Sequence, residues 1–320
     1  MTDVSIVIPC YKSGNWLEEL VSRITATMIK LNRTWELILV DDASPDDGNT
    51  YSVIRKIAHS NSNIVGIRLQ FNVGQFKALL AAIDQSSGDI IVTMDDDLQH
   101  PPEELPKLIG ALEEDSKIDC IIGRYESKSH GIIRNLGSKL VGFLLRRLSG
   151  RPKGLKTTSF RAFKRPVGEA ILAHRTVRPV MGSLVLMSTN RIKNVAVEHH
   201  ARPHGDSGWG FGKMVLATKD LVFNSTTWPL RSFIYMGMIT AISAFLAGGF
   251  MLVRYLYGSI TVPGYTSLIL TMLFLGGIQL AGLGMMGEYI DRILSEVQSP
   301  PRWVIAESSH QNATLEERTT

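Results

Sequence analysis

The sequence predicts an α/β fold: a mostly parallel sheet with helices on both faces, followed by a C-terminal two-helix transmembrane hairpin. Three observations predict it. Short Val- and Ile-rich runs alternate with amphipathic helical stretches through the first 123 residues, without the polar alternation of a one-sided sheet. Polar clusters stand directly after these runs, where open α/β sheets bind ligands. The last third holds two long uncharged segments.

The expected strands are Val4–Ile8, Leu37–Val40, Ile64–Leu69, Ile90–Met94 and Cys120–Gly123, with four amphipathic stretches between them. The clusters that follow are Pro9-Cys10-Tyr11, Asp41-Asp42, Asn72 to Gly74 and Asp95-Asp96-Asp97. All of them should meet at one sheet edge. No G-x-G-x-x-G follows the first strand and no P-loop pattern occurs, so the dinucleotide and Walker-type phosphate sites lack support. Residues 130–149 show helical spacing, with Ile133, Leu136, Leu140, Phe143 and Leu144 on one side. Beyond them, Ser159–Phe163 and Val195–His199 read as strands, and Pro166 opens a helix.

Phe233–Val253 and Tyr265–Met286 contain no charged residue. Each is long enough for the ~20 residues that a membrane-spanning helix needs. The short connection carries Gly258, Pro263 and Gly264, so a hairpin with both chain ends on one side is expected. Arg231, Arg292 and Arg302 favour that side as cytoplasmic, against Arg254 at the far end. Val4–Ile8 is far too short for the apolar core of a signal peptide and ends at a proline. The catalytic part is therefore expected in the cytosol. The organisation implied is a domain at 1–210, an interfacial juxtamembrane helix at 211–231, the paired spans within 232–290 and a polar cytosolic tail at 291–320, all at the inner (plasma) membrane.

Charge is divided unevenly. Residues 1–123 carry 10 Lys and Arg against 19 Asp and Glu, whereas 124–165 carry 12 against the single Glu126. The basic stretch suits phosphates, anionic headgroups or nucleic acid. Cys10 and Cys120 are the only cysteines, which excludes a disulfide framework or a Cys-based zinc site. His199, His200 and His204 lack the H-E-x-x-H spacing of a zinc hydrolase.

Asp95 and Asp97, one residue apart at a strand end, offer hard oxygens to a divalent cation that also binds phosphate; Mg2+ or Mn2+ fits. The run Asp95-Asp96-Asp97-Leu98-Gln99-His100-Pro101-Pro102 resembles the D-A-D-L-Q-x-P-P motif of family 2 glycosyltransferases, in the branch that acts on polyprenyl phosphates. Val7-Ile8-Pro9-Cys10-Tyr11 resembles that branch's V-I-P-x-Y, and Asp41-Asp42-Ala43-Ser44 its D-D-G-S. Gly287-Glu288-Tyr289-Ile290-Asp291-Arg292 resembles its G-E-Y-I-G-R ending.

The resemblance implies a nucleotide-sugar fold of the GT-A type and inverting transfer of a hexose, UDP-glucose being the favoured donor, to polyprenyl (undecaprenyl) phosphate. It implies Asp95, Asp97 and Gln99 as metal ligands, and Pro9, Tyr11, Asp41, Asp42, Asp95 and Asp96 around the donor nucleotide. The acceptor phosphate falls to Arg124, Arg134, Ser138, Arg202 and Ser207, with Asp95, Asp97, Arg124 and Arg134 carrying catalysis. Guanidinium groups bind phosphate oxygens in pairs, and Arg134 and Ser138 share a helix face. The partners implied are the nucleotide-sugar, the polyprenyl phosphate and membrane lipids, with no nucleic acid; a homo-oligomer is compatible with this architecture.

Lys12 and Ser13 replace the Asn-Glu that closes the branch's first motif, and three further departures bear on the acceptor side. Leu155 stands where relatives place an aspartate six residues before the arginine of Ser159-Phe160-Arg161, and Gly208 and Trp209 replace Lys-Tyr. A transferase acting on a growing polysaccharide, or a catalytically silent scaffold or sugar-nucleotide sensor, are the alternatives left open.

Overall fold

The computed structural model describes residues 2–125, 154–174, 176, 179–198, 228–257, 264–297 and 301–309. β1 (Val4–Cys10) is buried at every position and pairs in parallel with β2 (Trp35–Asp41) and β4 (Ile90–Thr93), while β3 (Ile64–Leu69) extends the sheet beyond β2. Because successive side chains point to opposite faces, one strand feeds two cores. Ile6, Ile8 and Cys10 join the first core, and Val7 joins the second.

Helices cover both cores, as the unalternating apolar runs require. α1 (Gly14–Leu31) buries Leu17, Leu20, Val21, Ile24 and Met28 at helical spacing, and it stops where Asn32 turns left-handed at φ 52°. α2 (Asn49–Ser60) and α4 (Leu105–Glu114) join it on the first face. The second face holds α3 (Gln75–Asp84), α5 (Arg165–Ala173, opened by Pro166) and α6 (Met181–Ser188).

Four more strands, β5 (Cys120–Tyr125), β6 (Arg161–Lys164), β7 (Ile192–Val197) and β8 (Ile305–Ser308), complete a mixed sheet of order β7-β5-β6-β4-β1-β2-β3-β8. β6 runs antiparallel between β4 and β5, whereas β7 is parallel to β5. Alternation alone reveals neither the direction of β6 nor its insertion. β6 brings the segment before it, Thr158 to Phe160, alongside the end of β5: Gly123 donates its N–H to Phe160 O at 2.9 Å.

Within the segment read as a polar tail, β8 (Ile305–Ser308) pairs antiparallel with β3. The cause is the open edge of β3, whose backbone groups need partners. Gln70 donates its N–H to Val304 O at 2.8 Å, and Gly66 donates its own to Ser309 Oγ at 2.9 Å. Trp303 and Ile305 pack on the second core, and the Arg302 guanidinium donates to Leu172 O at 2.8 Å and to His174 O.

The chain divides into two units, residues 1–217 with 300–320, and residues 218–299. The second contains α7 (Trp228–Leu256) and α8 (Tyr265–Val297). A Cβ at Gly282 would lie 2.9 Å from the Phe233 ring, so glycine permits this close approach. Phe245, Phe250 and Leu280 are exposed on these helices. Among the described residues, no helix is long and apolar enough to cross a membrane. The expected helix at 130–149 and most of the juxtamembrane segment lie outside the described residues.

Candidate active site

The carboxyl ends of β2 and β4 carry the acidic clusters that the sequence placed there, beside Pro9-Cys10-Tyr11 at the end of β1. Asp41 and Asp42 are both buried, and their oxygens are engaged by the protein itself. Asp41 Oδ1 accepts from Ser44 N at 3.1 Å and from Ser44 Oγ at 2.6 Å. Its other oxygen lies 3.9 Å from Arg68 Nε. Asp42 accepts the N–H groups of Val73 at 2.7 Å and Gly74 at 2.9 Å, and Asn72 Nδ2 donates to its carbonyl. The two carboxylates thus build the loops beside the site. Burial raises both acids, Asp42 to about 6.

The Asp95–Asp97 loop is bound on all sides. Asp95 Oδ1 accepts from Gln75 Nε2 at 2.8 Å, and Oδ2 accepts from Ser159 Oγ. Asp96 Oδ2 accepts from Tyr11 N at 3.1 Å, while its carbonyl accepts from Trp16 Nε1 at 2.6 Å. Asp97 Oδ1 accepts from Gln99 N at 3.1 Å, across a turn in which Leu98 is left-handed at φ 59°. A non-glycine residue in that region is uncommon and marks a loop whose surroundings hold it there. Burial, reinforced by Asp95 and Asp97 against the opposing hydrogen bonds, pushes the Asp96 carboxyl up to about 7.

Asp95 and Asp97 carry carboxylate oxygens, the donor type that a hard divalent cation takes, and Gln99 follows them in the same loop. Among the described residues, no group of three or more His, Cys, Asp and Glu forms a metal cluster.

His100, Ser159 and Tyr125 surround Asp95, and sequence reasoning gave none of them a role. His100 is 3% exposed and stacks against Phe160 and Tyr125. The only hint in the sequence is that Ser159 belongs to the Ser-Phe-Arg segment.

Among the other expected residues, Pro9 is buried in β1 and Tyr11 is exposed beside the acidic loop. Arg124 is exposed near the end of β5. Arg161, two residues past Ser159, is buried, its Nε has no hydrogen-bond partner, and burial lowers its pKa. Leu155 is half-buried, in a segment held where Lys156 N donates to Asn194 Oδ1 at 2.8 Å. Arg134, Ser138, Arg202, Ser207, Gly208 and Trp209, with His199, His200 and His204, lie outside the described residues.

A sheet covered on both faces, with acidic loops gathered at its carboxyl edge, defines a GT-A-like α/β fold. The description "Glycosyl transferase family 2" matches residues 5–172. The chain belongs to that family. It is 31% identical over 313 residues to the undecaprenyl-phosphate 4-deoxy-4-formamido-L-arabinose transferase of Salmonella paratyphi A, covering 97% of this chain and 95% of the relative. The same-named protein of Salmonella choleraesuis matches to the same extent.

Among solved structures, glucosyl-3-phosphoglycerate synthase from Mycobacterium tuberculosis in complex with UDP superposes with a TM-score of 0.50 at 20% identity, over 69% of this chain and 78% of that one. The same enzyme with Mn2+, UDP-glucose and phosphoglyceric acid also gives 0.50 at 20%, over 69% and 77%. These likenesses concern the fold.

Proposed function

We propose that this chain transfers a sugar from a nucleotide-sugar to a polyprenyl phosphate, with inversion at the anomeric carbon. The observation that carries the reading is the Asp95–Asp97 loop at the end of β4. It stands in the family's metal-motif position, in a chain alignable over 97% of its length with a transferase named for undecaprenyl phosphate.

In this reading Asp95, Asp97 and Gln99 hold Mg2+ or Mn2+, which when bound neutralises the departing diphosphate. Asp96 braces the loop through Tyr11 and Trp16. Arg124, with Arg134, Ser138, Arg202 and Ser207, positions the acceptor phosphate. A phosphate monoester has a second pKa of about 6 and is largely dianionic at neutral pH. It needs no general base, so Leu155 in place of the family aspartate is compatible with transfer. An acceptor oxygen bonds to the anomeric carbon as the bond to the donor's diphosphate breaks, and the nucleoside diphosphate leaves with the electron pair.

Anchoring of the enzyme at the plasma membrane, with the catalytic unit and both termini cytoplasmic, belongs to the same proposal. Its support is the complete sequence of α7 and α8, in which residues 233–253 and 265–286 carry no charge. Further support comes from exposed apolar side chains such as Phe245, at 82%. An uncharged run of ~21 residues matches the ~20 that a membrane-spanning segment takes.

The sugar is decided by a donor panel. Purified full-length protein is given undecaprenyl phosphate, Mn2+ and, in turn, UDP-glucose, GDP- and dTDP-sugars and nucleotide-activated 4-deoxy-4-formamido-L-arabinose. Mass spectrometry of the lipid should reveal one glycosylated polyprenyl phosphate. No lipid product with any donor would overturn the proposal; transfer only to an oligosaccharide would move it to polysaccharide synthesis.

A further inference from the structure

His100 connects two parts of the site that the sequence separates. Its Nδ1 accepts the backbone N–H of Asp95 at 3.3 Å. Its Nε2 is hydrogen-bonded to the Tyr125 hydroxyl, with Ser159 Oγ 3.5 Å away. Ser159 in turn donates to Asp95 Oδ2, closing a ring of contacts around that aspartate. The imidazole stacks on Phe160 at 5.1 Å and 12° and on Tyr125 at 5.9 Å and 21°. Burial between these aromatic faces restricts its rotation.

Three segments converge on this one ring: the acidic loop after β4, the end of β5 and the residues preceding β6. Tyr125 directly follows Arg124. We infer that His100 is a positioning residue that locks the acidic donor loop to the arginine-bearing end of β5, so that donor and acceptor groups are held at one fixed separation. The inference rests on the proposed transferase function, which makes Asp95 a donor-side residue and Arg124 an acceptor-side one. Transfer reactions depend steeply on that separation, because misplacement by ~1 Å can cost ~100-fold in rate.

Three variants of the full-length protein test the inference. His100→Phe keeps an aromatic ring and removes both hydrogen bonds. His100→Asn restores an acceptor for the Asp95 N–H without reaching Tyr125. Tyr125→Phe removes only the link to β5.

Mn2+ binding in the presence of UDP, followed by electron paramagnetic resonance, should weaken about tenfold in His100→Phe and recover in His100→Asn, the size typical of a residue that orients a ligand. Tyr125→Phe should bind Mn2+ and UDP within about twofold of wild type but raise the KM for undecaprenyl phosphate about fivefold, the scale of one hydrogen bond. Melting temperature is recorded for each, so that binding is compared per folded molecule. Wild-type Mn2+–UDP affinity in His100→Phe, or equal losses in all three variants that track only their melting temperatures, would overturn the inference. If wild type binds Mn2+ and UDP but transfers no sugar, the functional proposal fails while the comparison of His100→Phe with His100→Asn still decides the role of the ring.

Discussion

Asp42 and Gly74 are joined at 2.9 Å, the backbone N–H of Gly74 donating to Asp42 Oδ2, while Val73 occupies the other carboxylate oxygen at 2.7 Å. One side chain at the end of β2 therefore fixes the loop that opens α3. Burial outweighs these two bonds and raises the acid from 3.8 to about 6.

The pH dependence of stability follows with a definite sign. As pH rises, the unfolded chain releases this proton first, so between pH ~4 and ~6 the folded state binds more protons and Asp42 makes stability fall. The change corresponds to about 3 kcal/mol as an order of magnitude. Asp42→Asn cannot ionise. The stability loss of wild type between pH 4 and 6.5 should exceed that of the variant by about 2–3 kcal/mol, measured by denaturant unfolding in detergent. Equal losses would show that Asp42 does not titrate in this window.

Ala43 is left-handed at φ 47°, at the position where the family pattern D-D-G-S has glycine. The Cβ costs about 1 kcal/mol in this conformation, partly offset by the extra freedom that glycine has when unfolded. Ala43→Gly should stabilise the protein by up to about 0.5 kcal/mol, seen as a slightly higher melting temperature. A lower one would mean that the Ala43 side chain contributes packing that outweighs the strain.

Asp97 is 8% exposed, and its Oδ1 accepts from Gln99 N at 3.1 Å. Asn offers the same acceptor for that turn but lacks the charge a metal ligand supplies. Asp97→Asn is expected to keep its fold by circular dichroism, to bind Mn2+ more weakly, and to lose sugar transfer by about 100-fold or more. Transfer at the wild-type rate would remove Asp97 from the proposed ligand set.

Strand β8 protects the open edge of β3. Ending the chain after Ser299 removes the acceptors of Gly66 N–H and Gln70 N–H. Hydrogen exchange at those two amides should accelerate by about tenfold or more, with the interior strand β2 changing least. Unchanged exchange would mean that the pairing with β8 is not maintained in solution.

Much of the catalytic unit was legible because local periodicity reports burial. Ile64–Leu69 forms a strand at the bounds read from its apolar run, and Leu17, Leu20, Ile24 and Met28 define the buried side of α1 as their spacing requires. The acidic clusters were legible for the same reason: each sits at the end of a recognisable strand. Their orientation was not. Asp42 faces inward because Val73 and Gly74, some thirty residues on, present backbone donors to it.

The sequence by itself determined the alternating α/β order, the positions of the acidic loops, the paired uncharged segments and the family. Each depends on neighbours within one or two turns or on a contiguous motif. Only the tertiary structure decided that β6 enters antiparallel between β4 and β5, that β8 closes the edge of β3, and that His100 reaches Tyr125 across 25 residues. Gly66 and Ser309 are 243 residues apart. Such partners are chosen by which backbone and side-chain groups remain unsatisfied once the local elements have formed, and no local pattern records that choice.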